Sequence, residues 1–318
     1  MTKIFNGVKK NILVAGGAGF IGSHIVDKLI ASGNNVIVVD NFSTGKRENL
    51  NSRALVYELD IRDKENFKNV FLKHKIDYVI HEAAKINLNV MLEDAAEDVG
   101  ISVLGTINIL KCCVKFKVKK LIYASSVAVY GRPKKLPAAE TDELVPIYSY
   151  GLAKKCAEEY IEYFSEYYGL NYTILRYANV YGPRQPILGS VGLIKIFADR
   201  VINGQPLTVY GQGTETRDYI YVDDVAEITL KMLEAGDREI INASCGRGIT
   251  VNEVFGCFQE AAGTSLKREN KPLRGGEIGH FYSDNTKLVN RFKIAPKHSL
   301  KEGIQKTLFY YKSLKNTN

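Results

Sequence analysis

NILVAGGAGFIGSH, Asn11 to His24, runs a short apolar strand pattern straight into a glycine loop and then into the start of a helical pattern. Gly17, Gly19 and Gly22 satisfy G-x-G-x-x-G, and Gly16, Gly19 and Gly22 satisfy G-x-x-G-x-x-G. Glycines at these places allow a tight turn and bring the backbone close to a pyrophosphate, whose charge is stabilised by the free N–H groups of a helix start. The loop alone is a weak signal. It gains weight from Asp40, which closes the next strand pattern 18 residues after Gly22. A carboxylate there accepts hydrogen bonds from the ribose hydroxyls of NAD and repels the extra phosphate of NADP. The sequence therefore predicts a dinucleotide site that prefers NAD.

Outward from this loop, β-branched runs alternate with amphipathic stretches. Strands are expected at Asn11 to Ala15, Asn35 to Asp40, Ala54 to Asp60, Tyr78 to His81, Lys120 to Ser125 and Tyr172 to Arg176. Between the first two, Ile21, Ile25, Val26, Leu29 and Ile30 share a helical face, and Gly33 follows where that helix would stop. The fold class predicted is α/β, a doubly wound parallel sheet of Rossmann type with a smaller α/β lobe. The lobe begins near Asn179, where Pro and Gly punctuate shorter apolar runs. This divides the chain into 1–178 and 179–318, with part of 214–250 packing back on the first domain. Lys312 to Asn318 reads as a frayed tail.

Composition narrows the function classes. The 318 residues are 45% hydrophobic and 25% charged, which excludes disorder, collagen and coiled coil. No apolar run approaches the roughly 18 residues needed to cross a bilayer, and Met1 to Lys10 has no signal-peptide core. A cytoplasmic protein without a membrane partner is expected. The net charge of +8 is spread along the chain without an RNA-binding pattern, so anionic small molecules, not nucleic acid, are the expected partners. The five cysteines form no C-x-x-C pair and the five histidines are isolated, so reduced thiols and no metal are expected.

Tyr150 and Lys154 lie at i and i+4 in a predicted helix whose apolar face is Ala153, Ala157, Ile161 and Phe164. An ammonium beside a phenol, helped by a cationic nicotinamide ring, is expected to lower the phenol pKa toward the working pH, fitting Tyr150 as a general base or acid. The same spacing recurs at Tyr130 with Lys134 and at Tyr311 with Lys315. Pro133 breaks the first of these, and the other falls in the expected tail. The middle pair alone follows a strand that ends in hydroxyls, Ser125 and Ser126. Asp223-Asp224, before an apolar helical run, reads as an N-cap.

With these residues in place the chain resembles the extended short-chain dehydrogenase/reductase family, and within it the nucleotide-sugar epimerases of the UDP-glucose (UDP-galactose) 4-epimerase type. The matching segments are GGAGFIGSH (Gly16 to His24), DNFSTG (Asp40 to Gly45), DIRD (Asp60 to Asp63), HEAA (His81 to Ala84), SSVAVYG (Ser125 to Gly131), YGLAK (Tyr150 to Lys154), RYANVYGPRQ (Arg176 to Gln185), GTETRDYIYVDDVA (Gly213 to Ala226) and RGGEI (Arg274 to Ile278). The resemblance implies NAD held by Gly16, Gly19, Phe20, Ile21, Gly22, Asp40, Asn41, Ser43 and Gly45, with Asp60 and Ile61 at adenine. It places Ala83, Ala84, Lys85, Tyr150 and Lys154 along the rest of the cofactor. It implies Ser126, Tyr150 and Lys154 as the catalytic set. Ser126, Asn179, Tyr210, Arg217, Arg274 and Phe281 would meet a UDP-sugar, and the protein would be a homodimer built on a helix bundle.

The implied reaction is NAD-dependent inversion at C4 of a UDP-hexose through a transient 4-keto sugar, with UDP-glucose and UDP-galactose preferred. Phe281 falls where a bulky aromatic goes with exclusion of 2-acetamido sugars. Val127 and Ala128 replace the Asp-Glu pair of the 4,6-dehydratases, which argues against dehydration. A UDP-glucuronate epimerase or decarboxylase, a 4-keto-sugar reductase and, remotely, a non-catalytic NAD sensor are the alternatives. Glu82 and Ser102 depart from the family pattern, which has an apolar residue and an asparagine there.

Overall fold

Ile12, Leu13, Val14 and Ala15 are wholly buried, as a strand covered by helices on both faces must be. The computed structural model describes residues 4–85, 95–187, 192–272 and 279–317. The chain divides into two compact units, one of residues 1–131, 143–177 and 226–241, the other of 132–142, 178–225 and 242–318.

In chain order the first unit begins β1 (Asn11–Ala15), α1 (Phe20–Ala31), β2 (Asn35–Asp40), β3 (Leu55–Glu58), α2 (Lys64–Lys73), β4 (Tyr78–His81). It continues α3 (Ala95–Val99), α4 (Thr106–Lys115), β5 (Lys120–Ser126), α5 (Ser149–Tyr168) and β6 (Tyr172–Tyr177). A π-helical segment, Gly100–Gly105, joins α3 to α4. The remaining elements are β7 (Asn179–Tyr181), α6 (Leu193–Ile202), β8 (Leu207–Tyr210), β9 (Thr216–Arg217), β10 (Tyr219–Tyr221), α7 (Val222–Met232), β11 (Glu239–Ala243), β12 (Ile249–Thr250), α8 (Val251–Ala262), β13 (Arg268–Lys271) and α9 (Leu300–Thr317).

The seven-stranded sheet has the order β11-β6-β5-β4-β1-β2-β3. β1 pairs in parallel with β2 on one side and with β4 on the other, so the winding reverses beside β1. In an open α/β sheet that reversal opens a crevice at the carboxyl ends of the strands. Strands β1, β2 and β4 have the bounds expected from the sequence, and β3 is shorter, Leu55–Glu58 against the expected Ala54 to Asp60. The seventh strand comes late in the chain. Its neighbourhood holds Lys120, which is 2% exposed and donates to the Met232 carbonyl at 2.7 Å, the Ala235 carbonyl and the Asp237 carboxylate at 2.9 Å.

The second unit has its own core, in which Phe197, Leu207, Phe258, Ile304 and Leu308 pack together. Asp218 is fully buried there and accepts the N–H groups of Cys245, Gly246 and Ser283, so this acidic residue of the RDYIYVDD motif ties loops together.

Two expectations are corrected. Residues 312–317 do not form a frayed tail, because α9 runs to Thr317 and buries Ile304 and Leu308. Asp223 and Asp224 lie inside the first turn of α7, not at its cap. Asp224 instead accepts the backbone N–H groups of Lys297 and His298 and pairs with the His298 ring at 3.0 Å. Residues 226–241 fall in the first unit and 132–142 in the second. Among the described residues no helix is long and apolar enough to cross a membrane.

Candidate active site

The crevice beside β1 is lined by residues that follow four successive strands: Gly16 and Gly19 after β1, Asp40, Asn41, Ser43 and Thr44 at the end of β2, Asp60 and Ile61 after β3, and Glu82 to Lys85 after β4. The glycine loop is compressed against its surroundings. A Cβ on Gly16 would meet the Ala83 nitrogen at 2.5 Å, and one on Gly22 would overlap the Gly16 carbonyl oxygen, so α1 starts hard against the loop. Gly19 caps α1 with extended backbone and no side-chain hydrogen bond, which leaves Phe20 and Ile21 in an uncapped first turn. Gly22→Ala is expected to force the loop and helix apart. The cost is about 1–3 kcal/mol of stability, together with loss of the copurifying dinucleotide, read by thermal melting and by nucleotide released per protomer on denaturation.

Asp40 is buried at the end of β2 and its two carboxylate oxygens accept the N–H groups of Ala18 and Phe42 at 2.9 Å each. Burial pushes its pKa up, and the two N–H groups oppose this. A carboxylate has about four acceptor sites, so lone pairs remain for a ribose. Gly45 has no side chain because a Cβ there would meet the Asp40 carboxylate at 2.8 Å. On the adjoining rim Asn41 donates to Asp60 at 2.9 Å and accepts from the Ser43 amide and hydroxyl. The Arg62 guanidinium grips Asp60 with two bonds and holds its carboxyl down to about 2. Lys85 pairs with Glu97 at 2.5 Å.

Ser126 ends β5 and its hydroxyl accepts the Ala128 N–H at 3.2 Å, starting a short turn, Val127–Tyr130. Gly151 lets α5 press onto that turn, since a Cβ there would lie 2.6 Å from the Ala128 carbonyl oxygen. This contact brings the Tyr150 phenol near the Ser126 hydroxyl. One turn on, Lys154 is 1% exposed, donates to the Ala124 carbonyl at 2.6 Å and lies 4.6 Å from the Tyr123 ring and 5.8 Å from the Tyr150 ring.

The electrostatics differ from the sequence expectation. Burial lifts the Tyr150 phenol well above its ordinary value, and the carboxylates of Glu82 and Asp98 lift it further against the Ser126 hydrogen bond. Burial also brings Lys154 down to about 8, with Glu82 and Glu158 acting in the opposite sense. The lysine is turned to a carbonyl, so by itself it does not depress the phenol. Any such depression falls to the positive charge of a bound nicotinamide.

The other two Tyr-x-x-x-Lys pairs are built into the frame. Tyr130 is buried with its oxygen accepting from Arg176 at 3.0 Å, and Tyr311 donates to the Gln185 carbonyl at 2.8 Å while Lys315 donates to the Ile202 carbonyl. In the second unit, Asn179 begins β7 and Tyr210 ends β8. Arg217 donates to the Thr216 carbonyl at 2.8 Å and the Gly279 carbonyl at 3.2 Å, and Phe281 is buried with its N–H on the Thr216 carbonyl. Arg274 lies outside the described residues. The sequence reading missed Val39, Thr44, Leu59 and Ile101 as lining of the crevice, and treated Glu82 only as a departure from a pattern. Ile101 lies in the π-helical segment, for which the sequence carries no periodic signal.

Residues 12–244 match the model of the NAD dependent epimerase/dehydratase family. The chain belongs to that family. Among solved structures it resembles a UDP-glucose 4-epimerase of Thermotoga maritima with UDP-glucose, at 44% identity and a TM-score of 0.92, covering 96% of this chain and 99% of that one. It resembles a Thermus thermophilus UDP-glucose 4-epimerase in complex with NAD at 38% identity and a TM-score of 0.88, covering 95% and 99% of the two chains. A UDP-N-acetylglucosamine 4-epimerase of Methanobrevibacter ruminantium, in complex with UDP-N-acetylmuramic acid, is similar at 32% identity and a TM-score of 0.89, covering 96% and 99%. Relatives at 31–32% identity extend, by their names, to a UDP-glucuronate 4-epimerase of Thermodesulfobacterium geofontis and a UDP-N-acetyl-alpha-D-glucosaminuronate decarboxylase of Bacillus cytotoxicus. This member of the epimerase/dehydratase family is thus an extended short-chain dehydrogenase/reductase, a nucleotide-sugar enzyme whose cofactor is NAD. The uncapped helix start, the glycine loop and the buried Asp40 fit that cofactor.

Proposed function

We propose that the protein inverts C4 of a UDP-hexose, with UDP-glucose and UDP-galactose as the preferred pair. The observation that carries this reading is the placement of Tyr150 at the start of α5 against the turn that follows Ser126, with Lys154 one turn behind it on the Ala124 carbonyl, in the same unit as the dinucleotide crevice. NAD, when bound, supplies a hydride acceptor that is restored within each cycle. Tyr150, as phenolate, takes the proton of the C4 hydroxyl and Ser126 donates a hydrogen bond to the same oxygen. Lys154 is seated on the Ala124 carbonyl one turn behind the phenol, and the positive charge that would favour the phenolate would come from the nicotinamide when NAD is bound. The 4-keto sugar turns over and Tyr150 returns the proton. Asn179, Arg217, Tyr210 and Arg274 are the residues proposed to hold the UDP moiety, with bidentate arginine contacts to the diphosphate. Val127 and Ala128 follow Ser126 and have no proton to give or take, which supports epimerisation over dehydration. Incubating the purified protein with a panel of UDP-sugars and no reductant tests the reading. An equilibrium mixture of C4 epimers is expected, and release of carbon dioxide or a demand for added NADH would replace it.

Discrimination against 2-acetamido sugars is proposed to lie with Phe281. A wide ring leaves little room for an N-acetyl group while the ketose rotates. Wild type is expected to favour the plain sugars in kcat/KM by about 10-fold or more, and Phe281→Ser to gain on UDP-N-acetylglucosamine by a similar factor. Equal wild-type rates on both sugar pairs would remove Phe281 as the gate.

We also propose a homodimer. Val99 and Leu104, before α4, and Leu152, Tyr160, Tyr163 and Tyr167 on α5 are exposed apolar side chains of the first unit, a surface suited to burial against a second copy.

A further inference from the structure

Two carboxylates stand near Lys154: buried Glu158, one turn on along α5, and half-buried Glu82, which follows His81 in the β4–β5 pairing of His81 with Tyr123 and so lies beside Ala124, whose carbonyl takes Lys154. Glu158 is already spent. It holds Arg176 through bonds of 2.7 Å and 3.1 Å and accepts the Ser125 hydroxyl, so its charge is neutralised on the spot. Glu82 stands differently. It follows β4, its N–H is bonded to the Ala15 carbonyl, and its Oε1 accepts the Tyr177 hydroxyl at 2.8 Å. Tyr177 in turn meets the Thr229 hydroxyl at 3.0 Å. Around Glu82, β1 contributes only uncharged backbone, β6 the Tyr177 phenol, α7 the Thr229 hydroxyl, and α5 the ammonium of Lys154 and the phenol of Tyr150. The neighbouring His81 is wholly buried and neutral, because burial and Lys154 bring its pKa down to about 3. The cation that acts on Glu82 is therefore Lys154.

We propose that Glu82 is a positioning residue for the Tyr150–Lys154 pair, a carboxyl at the cleft wall whose charge fixes the protonation of both partners. This rests on the proposed catalytic role of Tyr150. Ionised Glu82 keeps Lys154 an ammonium and holds the proton on Tyr150. Protonated Glu82 releases both. Burial lifts the Glu82 carboxyl to about 7, with the Tyr177 hydrogen bond and Lys154 pulling it back, so it changes charge within the working range. The sign follows. As the pH falls, Glu82 takes up a proton, its hold on the Tyr150 proton weakens, and the phenolate survives to lower pH than a fixed charge would allow. Coupled groups of this kind stretch the acid limb of the rate profile beyond a one-proton slope.

The test is the pH dependence of kcat for UDP-galactose epimerisation in wild type, E82Q, Y177F and Y150F. E82Q is expected to move the acid limb down by about one pH unit and to steepen it to a single-proton slope. Y177F, which removes the donor that favours ionised Glu82 and leaves Glu82 itself intact, is expected to move the limb the same way by less. In protein labelled with 13C at glutamate carboxyls, the resonance missing from E82Q is expected to titrate near 7. An inactive Y150F with E82Q and Y177F profiles superimposed on wild type overturns the role of Glu82 alone. So does a Glu82 resonance titrating with the ordinary glutamates. A Y150F enzyme with wild-type turnover overturns the catalytic reading, and the Glu82 proposal with it.

Discussion

The Tyr150→Phe enzyme is expected to lose turnover by about 10³-fold or more while binding UDP-sugar almost as wild type does. The hydroxyl serves proton transfer, an interaction realised in the transition state, and removing it lowers kcat with little change in ground-state affinity. Tyr150 is the phenol beside Ser126 and Lys154, so the effect is expected to be specific to it. Tyr130→Phe and Tyr311→Phe remove hydroxyls that bond to Arg176 and to the Gln185 carbonyl, and are expected to keep most of kcat. Steady-state rates for the three variants, with isothermal titration of UDP for Tyr150→Phe, decide the matter. Comparable losses in all three would mean that the hydroxyl set had been misassigned.

The second large effect is on stability. Arg176 and Glu158 are each 2% exposed and joined by two bonds, with Tyr130 and Ser125 completing the cluster. Removing one charge of a buried pair leaves the other without compensation. Glu158→Ala is therefore expected to cost about 3–5 kcal/mol, whereas exchanging both residues for apolar ones of similar volume is expected to be near neutral. Urea unfolding of Glu158→Ala and of the double variant Glu158→Leu/Arg176→Met measures the contrast. Equal destabilisation of the two would show that the cluster contributes by packing and not by charge.

Much of the first unit was legible because its signals are local. A strand that runs into glycines, followed by a carboxylate at the end of the next strand, specifies both the sheet and the cleft, and β1, β2 and β4 have the bounds that alternation and β-branching predict. Tyr150 and Lys154 were legible as i and i+4 neighbours on a helix with an apolar face. Their energetics were not, because the Lys154 bond to Ala124 and the surroundings of Tyr150 depend on β5, which lies more than twenty positions before them. Asp224 looked like a cap for the same reason. The groups that claim it, Lys297 and His298, lie more than seventy positions away. The second unit was least legible, since its two-stranded pieces are short and pair across long separations, β13 with β8 and β12 with β9.

Residues 226–241 return to the first unit after the chain has left it. During synthesis, then, the ribosome has delivered six strands of the main sheet by Tyr177, yet β6 must wait with an open edge until β11 emerges. Lys120 waits too, because its three acceptors, at Met232, Ala235 and Asp237, are made more than a hundred residues after it. An unpaired strand edge beside a buried cation without acceptors is a poor stopping point. A gene fragment ending near residue 178 is therefore expected to encode six strands with an open, aggregation-prone edge at β6 and not a separable NAD-binding domain.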